Sequence, residues 1–185
     1  GNMKKGFWYA LGVLLVVFTF ALPEFLLWKN ADHFQEPIRA YRGDMAHYTG
    51  ILRAAVVHGG PTGNAFFAEG EDGTSQFALF QSVIGVIPGV RSVPTPWLVL
   101  VLRILVALLV FWFLTLLLQR YSVPQPVAGL LAFSFVLFYG PVAFEGSALA
   151  NWFFPFLLLG MLFLAWDDAC LSLVSLFCFS LQPIY

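Results

Sequence analysis

Residues Trp97 to Leu118 read WLVLVLRILVALLVFWFLTLLL, a run in which Arg103 is the only charge and neither Pro nor Gly interrupts. A helix crossing the hydrocarbon core of a bilayer needs about 20 mostly apolar residues, and this run supplies them. Its reading decides the fold class: an all-α, polytopic transmembrane helical protein. The whole chain agrees. Of its 185 residues, 60% are hydrophobic and 10% charged, where a soluble domain carries about 25% charge. A water-soluble globule of this length cannot hide so much apolar surface.

Working outward, further runs appear on both sides. Towards the N-terminus, Phe7 to Trp28 is broken only by Pro23 and Glu24 near its far end. Lys4-Lys5 precede it, as they would a signal peptide. The run is nevertheless longer than a signal core of about 7–15 residues, and no small-residue cleavage site follows. It is expected to be a retained helix. Towards the C-terminus, Val127 to Ala143 follows the breaker Pro124-Gln125-Pro126. Leu149 to Trp166 comes next, and Ala169 to the chain end is separated from it by Asp167-Asp168. About five spans are expected: 7–28, 97–118, 127–143, 149–166 and 169–185. The count becomes four if one of the last three, shorter runs is re-entrant. Aromatic residues gather near the expected ends (Trp8, Trp28, Trp97, Tyr121, Trp166), as interfacial anchoring requires.

Gly1-Asn2 before Met3 has the look of a tag scar, so residues 1–6 are expected to be that scar and a short cytoplasmic N-terminus. The sequence stops at Tyr185 in an apolar run, and the chain is expected to be the N-terminal piece of something longer. A net charge of −1 leaves no basic footprint for nucleic acid. Cys170 and Cys178 lie eight apart on one expected helix, too far for a bridge, and form no metal-ligand spacing.

The only large polar region runs from residue 29 to 96. It holds all three histidines, five of the nine basic residues and six of the ten acids. So long a connection needs structure of its own, and two amphipathic helices lying at the membrane surface are expected. One covers Asp44 to His58, opened by Gly43-Asp44 and closed by Gly59-Gly60-Pro61, with Met45, Tyr48, Leu52, Ala55 and Val56 on one stripe. The other covers Ser75 to Ile87, with Phe77, Phe80, Ile84 and Ile87 on one side and Pro88-Gly89 ending it. Lys4-Lys5 before the first helix favour a cytoplasmic N-terminus. That makes the large loop extracytoplasmic and the plasma (inner) membrane the expected location.

Alternation of spans sorts the acids. Asp44, Glu69, Glu71 and Asp72 share a side with Glu145, whereas Asp167 and Asp168 fall on the other. Asp44 stands out twice. Placed just before an amphipathic run, it is a helix cap whose oxygen accepts from free backbone N–H groups. It is also one turn from His47, near enough for both to touch one proton, substrate or metal ion. His58 lies eleven residues beyond His47, about 16 Å along the axis, so a single ion cannot bind both histidines. Two ligands fall short of a dedicated zinc site, and no residue is assigned as a metal ligand. The acidic stretch Glu69-Gly70-Glu71-Asp72-Gly73 lacks the spacing of a calcium-binding hand and reads as a solvated turn. Gly-rich phosphate loops, Ser-His-Asp order and nucleotide fingerprints are all missing.

The segment Arg42-Gly43-Asp44-Met45-Ala46-His47-Tyr48, followed by His58-Gly59-Gly60-Pro61-Thr62-Gly63-Asn64-Ala65-Phe66-Phe67, comes in a long outer loop after a first span. In this it resembles the start of the C-type (GT-C) glycosyltransferases, and covers about the first third of such an enzyme. The resemblance implies a multi-span enzyme that moves a sugar from a polyprenyl-phosphate carrier to an acceptor glycan, lipid or protein on the outer side. It implies that Asp44 is the catalytic acid, acting as general base on the acceptor or helping to hold a divalent cation. His47, Tyr48 and Glu145 then become substrate-binding candidates. The chemistry is consistent: an acceptor hydroxyl must lose a proton as it attacks, and a placed carboxylate accepts it. The departing phosphate is negative, and Arg42, Arg53 and Arg103 are candidates to meet it. Arg103 has a second reading, snorkelling towards the outer headgroups. The competing function is a non-enzymatic membrane assembly or transport subunit whose large loop binds a partner. Near-absence of ionisable residues within the spans counts against transport.

Overall fold

The computed structural model describes residues 2–30, 44–59, 83–146 and 154–180, with side chains for 6–30, 49–59, 83–138 and 155–180. Among these residues all regular secondary structure is helical, without a strand. The elements are α1 (Asn2–Asn30), α2 (Asp44–His58), a 3-10 turn (Val90–Ser92), α3 (Thr95–Arg120), α4 (Gln125–Gly146), α5 (Phe154–Ala165) and α6 (Ala169–Ser180). Two segments are long and apolar enough to cross a bilayer, Gly6–Asn30 and Thr95–Arg120. The described parts of α5 and α6 have 12 residues each, about 18 Å of helix against a hydrocarbon core of about 30 Å.

α3 is the hub. It packs against α1, α2, α4 and α5, while α5 and α6 form a hairpin. Buried Val99, Leu102, Val106 and Val110 recur at helical spacing and build the middle of the core with Val16, Phe20, Ala132, Val136 and Leu158. α1 runs antiparallel to α3, tied by side chains near both ends. At one end the Gln119 amide donates to the Tyr9 hydroxyl at 3.0 Å; at the other Arg103 meets Glu24 at 3.5 Å. Between them α1 comes so close that a Cβ at Gly12 would run into the buried Phe111 ring.

α1 continues through Pro23 to Asn30. Proline removes one backbone donor from the ladder, a loss that bundle neighbours make tolerable in apolar helices. α4 opens at Gln125 with Pro126 in its first turn, where the missing N–H has no intrahelical partner to lose. α3 and α5 both end in a left-handed residue, Ser122 (φ 64) and Asp167 (φ 61). In each case the next N–H reaches back five residues, Val123 to Leu118 O at 3.1 Å and Asp168 to Phe163 O at 2.9 Å. This is the Schellman closure, which satisfies carbonyls the helix end leaves bare.

α2 spends its apolar stripe on the protein itself. Leu52, Ala55 and Val56 are buried, and the helix packs on α3, α4 and the 3-10 turn. The helix expected over Ser75 to Ile87 lies largely outside the described residues. Its visible end is helical at 83–85 and turns before Ile87. Ile84 is buried but Ile87 is exposed, so the expected apolar side loses its last member. The reason is local: Ile87 precedes Pro88, whose ring disfavours a helical conformation at the residue before it. Cys170 and Cys178 are free thiols.

The bundle surface is apolar. Phe7, Leu14, Phe18, Trp112, Leu130, Phe138, Leu173 and Phe177 are all exposed. They lie on four different helices, which leaves the apolar exposure distributed around the bundle rather than in one patch.

Candidate functional site

The two ends of α3 differ in what their polar groups touch. At the C-terminal end Arg120 Nε donates to the Ala165 carbonyl at 2.8 Å. Beside it, the Leu171 N–H donates to Asp168 Oδ1 at 3.0 Å, capping α6. Arg120 and Asp168 are thereby committed to helix ends.

The N-terminal end of α3 opens instead into a cleft of about 510 Å³. Its walls come from three elements: Thr49, Gly50, Arg53, Val56 and Val57 of α2, Arg91 and Ser92 of the 3-10 turn, and Val93 to Pro96 leading into α3. The described residues lining it include two arginines and no carboxylate. Arg53 and Arg91 are both exposed, while Thr49 is buried. Ser92 donates its hydroxyl to the Gly89 carbonyl at 2.7 Å.

Arg91 reaches this cleft because Gly59 lets it. Gly59 closes α2 in the left-handed region (φ 75), its N–H bonded to Ala55 O at 2.9 Å. A Cβ there would collide with the Arg91 guanidinium. The C-terminal end of a helix favours a cation, so Arg91 gains from the place it occupies.

Arg53 is the expected phosphate-contact residue that lies in the cleft; Arg103 is not among the residues lining it. Arg103 is 4% exposed and pairs with Glu24, itself nearly buried, beneath the Phe20 ring at 5.8 Å. Snorkelling is therefore corrected. The guanidinium turns into the protein, against a carboxylate and an aromatic face. Both residues make further contacts as well. The two ionisable groups noted within the spans thus form one buried ion pair joining the two longest apolar helices.

Asp44 is the first residue of α2, and His47 and Tyr48 follow within its first two turns. Glu145 stands in the last turn of α4. The side chains of these four, and all of Arg42, lie outside the described residues. Among the described residues, no three His, Cys, Asp or Glu side chains gather in a way that could hold a metal ion. Arg91 and Glu24 were missed by sequence reasoning. Glu24 carried a usable signal, since it lies four residues inside Trp28 while Arg103 lies six inside Trp97, matched in depth and opposite in charge. Arg91 carried none, being one basic residue in a turn without a motif.

Protein-family models, curated proteins and solved structures were compared with this chain, and none matches.

Proposed function

We propose that the chain is an integral membrane protein of glycosyl transfer, moving a sugar from a polyprenyl-phosphate-linked donor to an acceptor at the outer face of the plasma membrane. In this reading it crosses the bilayer about five times, with the N-terminus cytoplasmic and residues 29–96 outside. The observation that carries the reading is the seating of α2, the helix headed by Asp44, on α3 and α4 beside the open cleft. An acid-headed helix packed beside the start of the bilayer-length α3 supports a place where a lipid-borne substrate and a water-borne acceptor can meet.

Asp44 accepts the acceptor's proton, or helps to hold a divalent cation that polarises the reacting oxygens. His47, Tyr48, Arg42 and Glu145 orient the substrates, and Arg53 faces the departing phosphate. Arg103 acts through Glu24, holding α1 against α3. The test is transfer of labelled sugar from a polyprenyl-phosphate donor by membranes containing the full-length protein, of which this chain is in this reading the N-terminal part. Asp44→Asn is expected to lower the rate by about 100-fold or more with protein amount and thermal midpoint unchanged. An unaltered rate sinks the assignment of Asp44.

The Glu24–Arg103 pair favours a second reading, a membrane transport or assembly subunit, because intramembrane ionisable residues often mark a pathway. The pair lies about 9–12 Å inside the helix ends by axial rise, shallower than the midplane sites of transporters. Transfer activity therefore remains the first reading.

A further inference from the structure

The two longest helices are tied near both ends, where Gln119 of α3 meets Tyr9 of α1 and Arg103 meets Glu24. The ties lie 15 residues apart on α1 and 16 apart on α3, about 22–24 Å of helix in each. The two helices therefore keep one register along the seam. We propose that this seam frames a lipid-facing band of set thickness between two aromatic rings, and that the bundle is matched to a bilayer with a hydrocarbon core of about 30 Å. The proposal rests on the membrane placement in the reading above and does not require glycosyl transfer.

One ring is Trp8, Tyr121 and Trp166, all exposed. Trp8 adjoins Tyr9 and Tyr121 lies two residues past Gln119, so the first tie sets both at one level. Arg120 brings Trp166 to the same level by donating to the carbonyl of Ala165, the residue before it. The other ring is Trp28 and Trp97, also exposed. Trp28 lies four residues beyond Glu24, and Trp97 six beyond Arg103 towards the same end, about 6 and 9 Å of rise. The rings are thus about 30 Å apart along α1 and about 36 Å apart along α3. Trp and Tyr settle at headgroup level, just outside the hydrocarbon core.

The surface between the rings fits lipid rather than a single protein partner. Its exposed side chains are apolar, with Leu14 and Phe18 on α1 and Val101 and Leu105 on α3. The charges of that stretch, Glu24 and Arg103, are buried against each other. Apolar exposure continues on α4 and α6, through Leu130 and Leu173. A partner would cover one patch; a bilayer covers apolar side chains on every side. A lone helix meets a bilayer of the wrong thickness by tilting. With α1 and α3 held in register, one cannot adjust without the other. A thicker bilayer then draws the rings and Arg120 into hydrocarbon, and a thinner one leaves apolar side chains in water.

The test reconstitutes the chain in vesicles of phosphatidylcholine with monounsaturated chains of fourteen, eighteen or twenty-two carbons. The thermal midpoint should be highest with eighteen and about 5 °C lower on either side, as a mismatch of several ångströms implies. Depth is read from fluorescence quenching by lipids brominated near the headgroup or near the chain end. Exposed Trp112 lies nine residues inside Tyr121, about 13 Å deep. Trp112→Phe should remove the emission quenched by deep bromines, whereas Trp28→Phe and Trp97→Phe should remove that quenched by shallow ones. A midpoint independent of chain length, in protein that stays in the vesicles through a carbonate wash, overturns the match. Trp112 shielded from deep bromines means that another chain covers the band, and overturns it too. Release by carbonate overturns the membrane placement and the reading above with it. A matched midpoint and depth order without sugar transfer by the full-length protein overturn the transferase reading alone.

Discussion

The two ends of α3 carry similar side chains and use them differently. At the Arg120 end, each described charged contact terminates a helix: Arg120 on the Ala165 carbonyl, Asp168 on the Leu171 N–H. At the Thr95 end, Arg103 and Glu24 are sunk into the α1–α3 seam, and Arg53 and Arg91 stand in an open cleft. A charge that satisfies a helix end is already used by the fold. One left exposed in a cleft is available to a ligand, and one buried with its partner fixes the geometry around it. The difference teaches where chemistry can be sought, which is the end where α2 sits.

The comparison is broken most severely at the buried pair. Arg103→Met leaves the Glu24 carboxylate in an apolar seam, and removing one member of a buried pair costs about 3–5 kcal/mol. Replacing both, Glu24→Leu with Arg103→Met, removes the buried charge as well and should recover more than half of the loss. Denaturant unfolding in detergent of the two single variants and the double variant supplies the cycle. If the double variant is as unstable as the sum of the singles, the two residues do not act as a unit and the seam does not depend on their pairing.

The Arg120 end should respond more mildly. Asp168→Ala removes a cap worth about 1 kcal/mol, and Arg120→Ala removes one hydrogen bond of about 0.5–1.5 kcal/mol. Each variant should shift the unfolding midpoint slightly and leave the coupling energy of the Glu24–Arg103 cycle unchanged. A change in that coupling in either would show that the two ends are linked through α3, and the separation of roles would fail.

How much of this was legible follows from what kind of information a bilayer-like sequence carries. The helical class was legible, because runs such as Trp97 to Leu118 admit no other way to satisfy the backbone in an apolar setting. Which face of α3 turns inward was not. Phe111 is 2% exposed and its neighbour Trp112 is 57% exposed, yet both are large aromatics. Where the surroundings of a helix are as apolar as its core, the polar stripe that marks the outside of a soluble helix is missing. The count of five spans rests on length, and only the first two of those helices are long and apolar enough within the described residues. For the site, the concentration of charge between residues 29 and 96 was legible as a region. The arrangement within it was not. Arg91 enters the cleft because of the turn at Val90–Ser92 and the bare backbone of Gly59. Neither relation has a sequence period, and both depend on α2 folding back onto the start of α3.

The smallest effect tests the two helix closures at the Arg120 end against each other. Ser122 and Asp167 hold nearly the same left-handed angles and the same pair of backward hydrogen bonds. An L-residue in that region costs about 1–2 kcal/mol, and Asp tolerates it better than Ser because its side chain can bond locally. Glycine removes the strain but adds disorder to the unfolded chain, an offset of about 0.4–1 kcal/mol. Ser122→Gly should therefore stabilise by about 0.5 kcal/mol, the difference between these terms, while Asp167→Gly should be close to neutral. The midpoints of denaturant unfolding, measured side by side, decide it. Equal gains at both positions would mean that strain alone governs these turns. A loss at Asp167 beyond the glycine offset would mean that its carboxylate supports the α5–α6 hairpin directly, joining Asp168 and Arg120 in closing that end of the bundle.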